Sequence, residues 1–275
     1  MMKKALLYIA LTVIAFFMLT PLLWMLATSF SRDSVVVSTS LIPKNFTLKN
    51  YIEAWNFPRV FSDEITLGTF FKNSIITTFF ITALGLFIDS LAGYVLARKR
   101  FLGRKIFFYL ALITLMIPFY VVVVPMFLIM KNLRWINTYQ GLITPSIASG
   151  FGVYMFKQYF QTIPYELEEA AKMDGYSDFR IYFSIIIPLS IPAFGTMAIL
   201  KSMWAWDEFF WPLIITTDIK MKTLQVALTM FRGLNVTQWG LLTAGMTMAT
   251  IPIIIIYIFL QRYFVSGLTA GSLKA

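Results

Sequence analysis

The residues best suited to specific chemistry lie in one polar stretch, Phe160-Gln161-Thr162-Ile163-Pro164-Tyr165-Glu166-Leu167-Glu168-Glu169-Ala170-Ala171-Lys172-Met173-Asp174-Gly175. After twelve more residues comes Pro188-Leu189-Ser190-Ile191-Pro192. The stretch sits between two apolar runs of membrane length, so it cannot be buried in lipid and must face water or a partner. Its chemistry is therefore recognition. Adjacent Ala170 and Ala171 form a slim side that lets a foreign surface approach the backbone, while Glu169 and Asp174 offer charged hydrogen bonds at the edges.

The same residues predict a short helix of roughly ten residues lying outside the bilayer. Pro164 suits a first helical position, Glu166, Glu168 and Glu169 crowd the turns where the helix dipole favours anions, and Gly175 stands where a C-terminal cap releases the chain. Ser177 or Asp178 can cap the next helix, which meets Pro188 and Pro192. Intramembrane prolines free backbone carbonyls, so that span can bend or line a cavity.

The rest of the chain supplies the frame. Hydrophobic residues make up 59% of the 275 and charged residues 13%, a balance that points to a polytopic membrane protein. The net charge of +10 reflects basic residues in short segments beside apolar runs, which is topology rather than nucleic-acid binding. Cysteine and histidine are both absent, which removes disulfide frameworks, thiolate or haem ligation and zinc-dependent intramembrane proteolysis. No metal site, cofactor or catalytic constellation is expected, and no Gly-rich phosphate loop ends in Lys-Ser or Lys-Thr, so this chain is not expected to bind ATP in the usual way.

Apolar stretches of about 20 residues, the length that crosses a hydrocarbon core as helix, predict six transmembrane spans in a single all-α domain, 1–275. They cover about 5–30, 73–97, 106–130, 141–160, 181–206 and 241–261, with the fourth short and the polar loop at about 161–180. The first follows Lys3 and Lys4 and is read as a retained anchor, too long for a cleaved signal. Five of the eight residues from Arg98 to Lys105 are basic, which sets both termini and the Glu169 helix on the cytoplasmic side. The outer segment 31–72 reads as a small cap, and a second outer stretch covers 207–240.

The spacing Glu-Ala-Ala, two residues, Asp-Gly, then Pro-Leu resembles the coupling motif of importer permeases in the ATP-binding cassette superfamily. Ala92-Gly93-Tyr94-Val95-Leu96-Ala97-Arg98, Trp206-Asp207-Glu208-Phe209-Phe210-Trp211-Pro212-Leu213 and the tail from Gln261 to Lys274 extend the likeness end to end to the carbohydrate branch. Within that branch the chain resembles the smaller permease subunit of maltose-type importers. Tyr176 departs from the small residue usual after Asp-Gly. The resemblance implies a type I importer permease fold in a bacterial or archaeal cell membrane. It implies as partners a second homologous permease, two cytoplasmic ATPase subunits and an extracytoplasmic solute-binding protein that delivers a sugar or oligosaccharide. Carried over by residue, Glu169, Ala170, Ala171, Asp174, Gly175 and Tyr176 face the ATPase. Gly267, Thr269 and Gly271 lie in a tail that reaches the ATPase dimer, and the loop from Phe231 to Trp239 enters the binding protein.

Other residues carry two readings each. Asp89, inside a span, is either a pathway residue or a carboxylate bonded to Ser90 or a neighbouring helix. Lys201 is expected to snorkel to the outer interface. Trp204, Trp206 and Trp211 could stack on sugar rings, yet they also sit where an interfacial aromatic belt belongs, which is the expected reading. The rival functions are an ion-gradient-driven secondary transporter and an insertion or scaffold protein without transport.

Overall fold

The computed structural model describes residues 2–32, 42–43, 45–231 and 237–270. In chain order its helices are α1 (Met2–Ser29), α2 (Lys49–Asn56), α3 (Leu67–Arg98), α4 (Arg104–Met116), α5 (Phe119–Asn132), α6 (Tyr139–Ile143), α7 (Gly150–Phe160), α8 (Glu166–Met173), α9 (Asp178–Ile181), α10 (Ile187–Leu189), α11 (Ile191–Asp207), α12 (Phe210–Ile215), α13 (Leu224–Leu228) and α14 (Trp239–Ala270). The all-α expectation holds for the described residues.

Three stretches are each long and apolar enough to span a bilayer alone: Lys4–Ser29, Leu67–Arg98 and Trp239–Phe259. The other expected spans are broken. The run predicted over 106–130 is α4 followed by α5, bent by 104°. Pro118 explains the break, because it forces Ile117 out of helical conformation to ψ 115°. The run predicted over 181–206 bends by 79° at Ser190. Below that elbow the chain widens into a π-helical turn at Tyr182–Ile186, where Pro188 cannot donate to the ordinary ladder, and Pro192 starts the helix above. The fourth predicted span, 141–160, is α6, a 3₁₀ turn at Thr144–Ser146 and α7. At 11 residues α7 is about 17 Å long, well short of a hydrocarbon core.

The chain divides into two compact units. One holds residues 1–72 and 223–252. In it, Asn50 of α2 donates to Ser29 O and Ser31 O at 2.8 and 2.9 Å, and Tyr51 and Ser29 share a 2.7 Å hydrogen bond between their hydroxyls. These bonds satisfy carbonyls that the end of α1 leaves free. Gly240 lets α14 pass close to Asn50, where a Cβ would stand 2.7 Å from Nδ2. The predicted cap is thus a short clip fastened to the end of α1.

The second unit holds 73–222 and 253–275 and contains two apolar clusters. One gathers Ile81, Val123, Met130, Leu142, Ile143, Ala205, Trp211 and Ile215. Trp211, expected in an interfacial belt, is instead buried there and donates its indole N–H to Gly141 O at 2.9 Å. The other gathers Tyr94, Phe156, Phe160, Ile163, Ala171, Ile181, Tyr182, Ile186, Ala193 and Met197. Gly93 brings α3 onto α7, since a Cβ there would stand 2.7 Å from Phe156 Cβ. Close packing of this kind holds helices together where lipid is as apolar as the side chains.

Candidate functional site

The polar island folds as the eight-residue α8, two residues shorter than predicted and starting at Glu166 rather than Pro164. Tyr165 occupies the N-cap, and Glu166, Glu168 and Glu169 fill the first turn. The other end is closed by backbone bonds. Tyr176 N–H donates to Ala171 O at 2.9 Å and Gly175 N–H to Lys172 O at 3.0 Å, the Schellman pattern, with Gly175 at φ 79°. A side chain at Gly175 would meet nothing within 4 Å, so glycine is required there by backbone angle and not by space.

Burial sorts the two faces of α8. Glu168 and Ala171 turn inward, Ala171 into the cluster with Tyr94, Phe160 and Tyr182. Glu169, Ala170, Lys172, Met173, Asp174 and Gly175 are exposed. The expected slim side of two alanines is therefore corrected: only Ala170 faces out, because i and i+1 on a helix point about 100° apart. Met173, 89% exposed, takes the place beside it. Tyr176 is half-buried under Arg180, whose guanidinium lies 3.9 Å from the ring centroid, so it braces the turn more than it extends the outer face.

The inner face is anchored by the end of α3. Arg98 Nε and Glu168 Oε1 lie 3.1 Å apart as an ion pair, without the alignment of a hydrogen bond, and both side chains are almost wholly enclosed. A second guanidinium nitrogen of Arg98 donates to Ile163 O in the loop before α8. Tyr94 hydroxyl donates to Glu168 Oε2 at 3.4 Å, one helical turn before Arg98. Lys99 pairs with Asp178 at 2.5 Å and reaches Glu168 at 3.9 Å. The Lys99 ammonium holds the Asp178 carboxyl below its usual range, chiefly through their hydrogen bond. Ser177 Oγ accepts from Arg180 N–H at 3.4 Å and caps α9, as expected.

The remaining candidates fare differently. Asp89 is fully buried and saturated: it accepts from Ser149 N–H at 2.8 Å and Ser149 hydroxyl at 2.9 Å, and pairs with Lys201 at 2.6 Å. It lines no open surface here, which corrects the pathway reading. Ser90, offered as its partner, instead bonds Tyr182 hydroxyl. Lys201 is also corrected, being 5% exposed with a further bond to Ile147 O at 2.5 Å rather than snorkelling. Gly85 and Gly152 make the room, since a Cβ at either would collide with Lys201 or Asp89. Trp206 is buried, so it cannot stack on a sugar in this conformation, whereas Trp204 is exposed in a shallow cleft with Tyr120, Asp207, Glu208 and Phe210. Gly271 and residues 232–236 of the outer loop lie outside the described residues. Gly267 and Thr269 lie on the last turns of α14.

The pairing of Glu168 with Tyr94 and Arg98 was not expected from the sequence, though a signal was present. Tyr94 and Arg98 are four apart on one helix face, and a carboxylate in a short loop is the natural counter-charge.

Apolar helices of membrane length, two broken runs and a short polar helix pinned to the end of α3 define a multi-pass membrane component. The chain belongs to the family described as binding-protein-dependent transport system inner membrane component, whose model matches residues 89–270. It is 37% identical over 273 residues to the arabinooligosaccharides transport system permease protein AraQ of Halalkalibacterium halodurans, covering 98% of this chain and 96% of the relative. It is 35% identical over 277 residues to the trehalose/maltose transport system permease protein MalG of Thermococcus litoralis, covering 99% and 98%. A sn-glycerol-3-phosphate permease, UgpE of Yersinia pestis, is 31% identical over 83% of this chain and 82% of its own length. In structure the chain is similar to a chain of a bacterial ABC transporter involved in the import of the acidic polysaccharide alginate, with a TM-score of 0.81, 26% identity and 96% of each chain covered. It has the type I ABC importer permease fold.

Proposed function

We propose that this chain is one permease subunit of an ATP-driven importer and forms half of the path for a sugar or oligosaccharide. The observation that carries the coupling part is the outer face of α8: Glu169, Ala170, Met173, Asp174 and Gly175 form a narrow, exposed ridge on a helix closed at its C-terminus. Such a ridge fits a groove on a cytoplasmic ATPase subunit. A second homologous permease, two ATPase subunits and an extracytoplasmic binding protein complete the assembly, and both termini lie in the cytoplasm. Gly267, Thr269 and Gly271 belong to a tail that reaches the ATPase, and the loop 231–239 reaches the binding protein.

ATP-driven closure of the ATPase pair draws the docked helices together and shifts the permeases from inward-open to outward-open. A ligand or nucleotide shifts this equilibrium only by its difference in binding between the two states. The sugar assignment rests on relatives whose names specify arabinooligosaccharides and trehalose/maltose. The exposed Trp204 and Tyr120 beside Asp207 and Glu208 offer ring faces and hydroxyl acceptors of the matching kind.

The test is co-purification with the ATPase, then ATP hydrolysis in vesicles with binding protein and candidate arabino- and malto-oligosaccharides. Stimulation by one sugar class is expected. Glu169→Lys and Gly175→Pro should strip the ATPase from an intact, inserted permease; uptake unchanged in both variants removes the docking assignment.

A further inference from the structure

Glu168 is buried one residue away from exposed Glu169, on a helix only eight residues long. Holding a surface helix down does not call for that. A buried carboxylate costs several kcal/mol of desolvation before its pairing is counted, and an apolar residue at 168 would seat α8 with less penalty. What a guanidinium adds is a second point of attachment. The Arg98 group is planar and rigid, and here it meets two points on the far side at once, Ile163 O as a hydrogen bond and Glu168 as an ion pair. Tyr94, one turn earlier on the same face, holds the other carboxylate oxygen. Lys99 reaches past α8 to Asp178 at the start of α9. The last turn of a 32-residue membrane helix and the residue that follows it are thus clamped to the loop before α8, to α8 itself and to the helix after it.

We infer that Arg98 and Glu168 are positioning residues that carry displacement of α8 into α3, so that a pull on the docked helix moves the membrane-spanning body instead of peeling α8 away from it. The inference rests on the docking reading above. The outer face of α8 grips the ATPase; the inner face passes the movement on chiefly through the buried Arg98–Glu168 pair, with Tyr94, Lys99 and the apolar packing of Ala171 beside it. Removing that contact leaves the ATPase bound but slipping: ATP is hydrolysed and less sugar moves.

The experiment uses the whole importer in vesicles, with ATP hydrolysis and sugar uptake measured together and bound ATPase quantified. Arg98→Gln, Glu168→Gln and the double variant are compared with the parent. The ATPase is expected to stay bound in all three, with ATP consumed per sugar raised roughly tenfold in each single variant, within the range by which residues lying between two coupled sites alter their coupling. The double variant is expected to be no worse than the worse single one, as for residues acting through each other. Should the glutamine variants fail to fold, Arg98→Cys with Glu168→Cys serves instead, since the chain has no native cysteine. With cysteine-free ATPase subunits, a short reversible bis-thiosulfonate bridge should restore the ratio and its reduction should abolish it again.

A ratio within about twofold of the parent overturns the inference, as do additive losses in the double variant. Loss of the ATPase from Glu168→Gln, or a bridge that restores nothing, also overturns it. Failure of the docking reading looks different: the ATPase is missing from the parent preparation, or Glu169→Lys and Gly175→Pro retain it undiminished.

Discussion

The helix α3 carries two charged clusters nine residues apart, and they are built on opposite plans. At Asp89 both charges are closed in: the carboxylate by two donors from Ser149 and the Lys201 ammonium, the ammonium also by the Ile147 carbonyl, and both by two glycines that leave no spare volume. At Arg98 the buried pair opens by degrees to water, through Lys99 and then Asp178, whose side chain is 56% exposed. The first cluster joins helix to turn to helix and keeps both charged side chains off the surface. The second ends on an exposed ridge. A sealed pair fixes one arrangement, because breaking it strands a charge in a dry interior. A graded one can shift with the element it holds, since water takes over as each partner withdraws.

The sharpest way to break this comparison is to halve the sealed pair. Lys201→Met strands the Asp89 carboxylate and is expected to cost about 3–5 kcal/mol, seen as a steep fall in folded permease after detergent extraction. Adding Asp89→Asn should recover most of that loss, and no recovery would show that the pair is not the unit. Gly152→Ala comes next: its Cβ would collide with Asp89, and overpacking of this kind costs about 1–3 kcal/mol in thermal unfolding. Gly175→Ala is smaller, about 1 kcal/mol for a left-handed residue with free space around it. It should show as faster amide exchange across 170–176 with little change in the global melting temperature. Lys99→Gln should be the mildest, at most about 1 kcal/mol, because the Lys99–Asp178 pair is partly solvated. A loss at Lys99 as large as that at Lys201 would erase the distinction between the clusters.

The parts legible in the sequence are those whose signal is local. Uninterrupted apolar length revealed α1, α3 and α14, and Gly175 after an acidic, alanine-bearing run revealed the end of α8. Pro118 stood in plain view inside the stretch 106–130, but composition over a window averages out a single residue that bends the chain by 104°. The fates of Lys201 and Trp211 depended on partners far away: Asp89 lies 112 residues from Lys201, and Gly141 lies 70 from Trp211. A lysine near the end of a span reads as snorkelling until its counter-charge is known. Tryptophans near that end read as a belt because burial and interfacial placement demand the same residue type. Family membership was legible for another reason, since several separate segments carried the same resemblance, and the family model matches residues 89–270, which contain most of them.

The elbow at Ser190 limits how force can travel. A straight rod pushed from below delivers thrust at its far tip, but one folded by 79° over a widened turn turns the same push into sideways leverage at the joint. Under the docking proposal, a motion entering at Asp178 would reach Trp204 as a swing about that joint and not as a piston stroke.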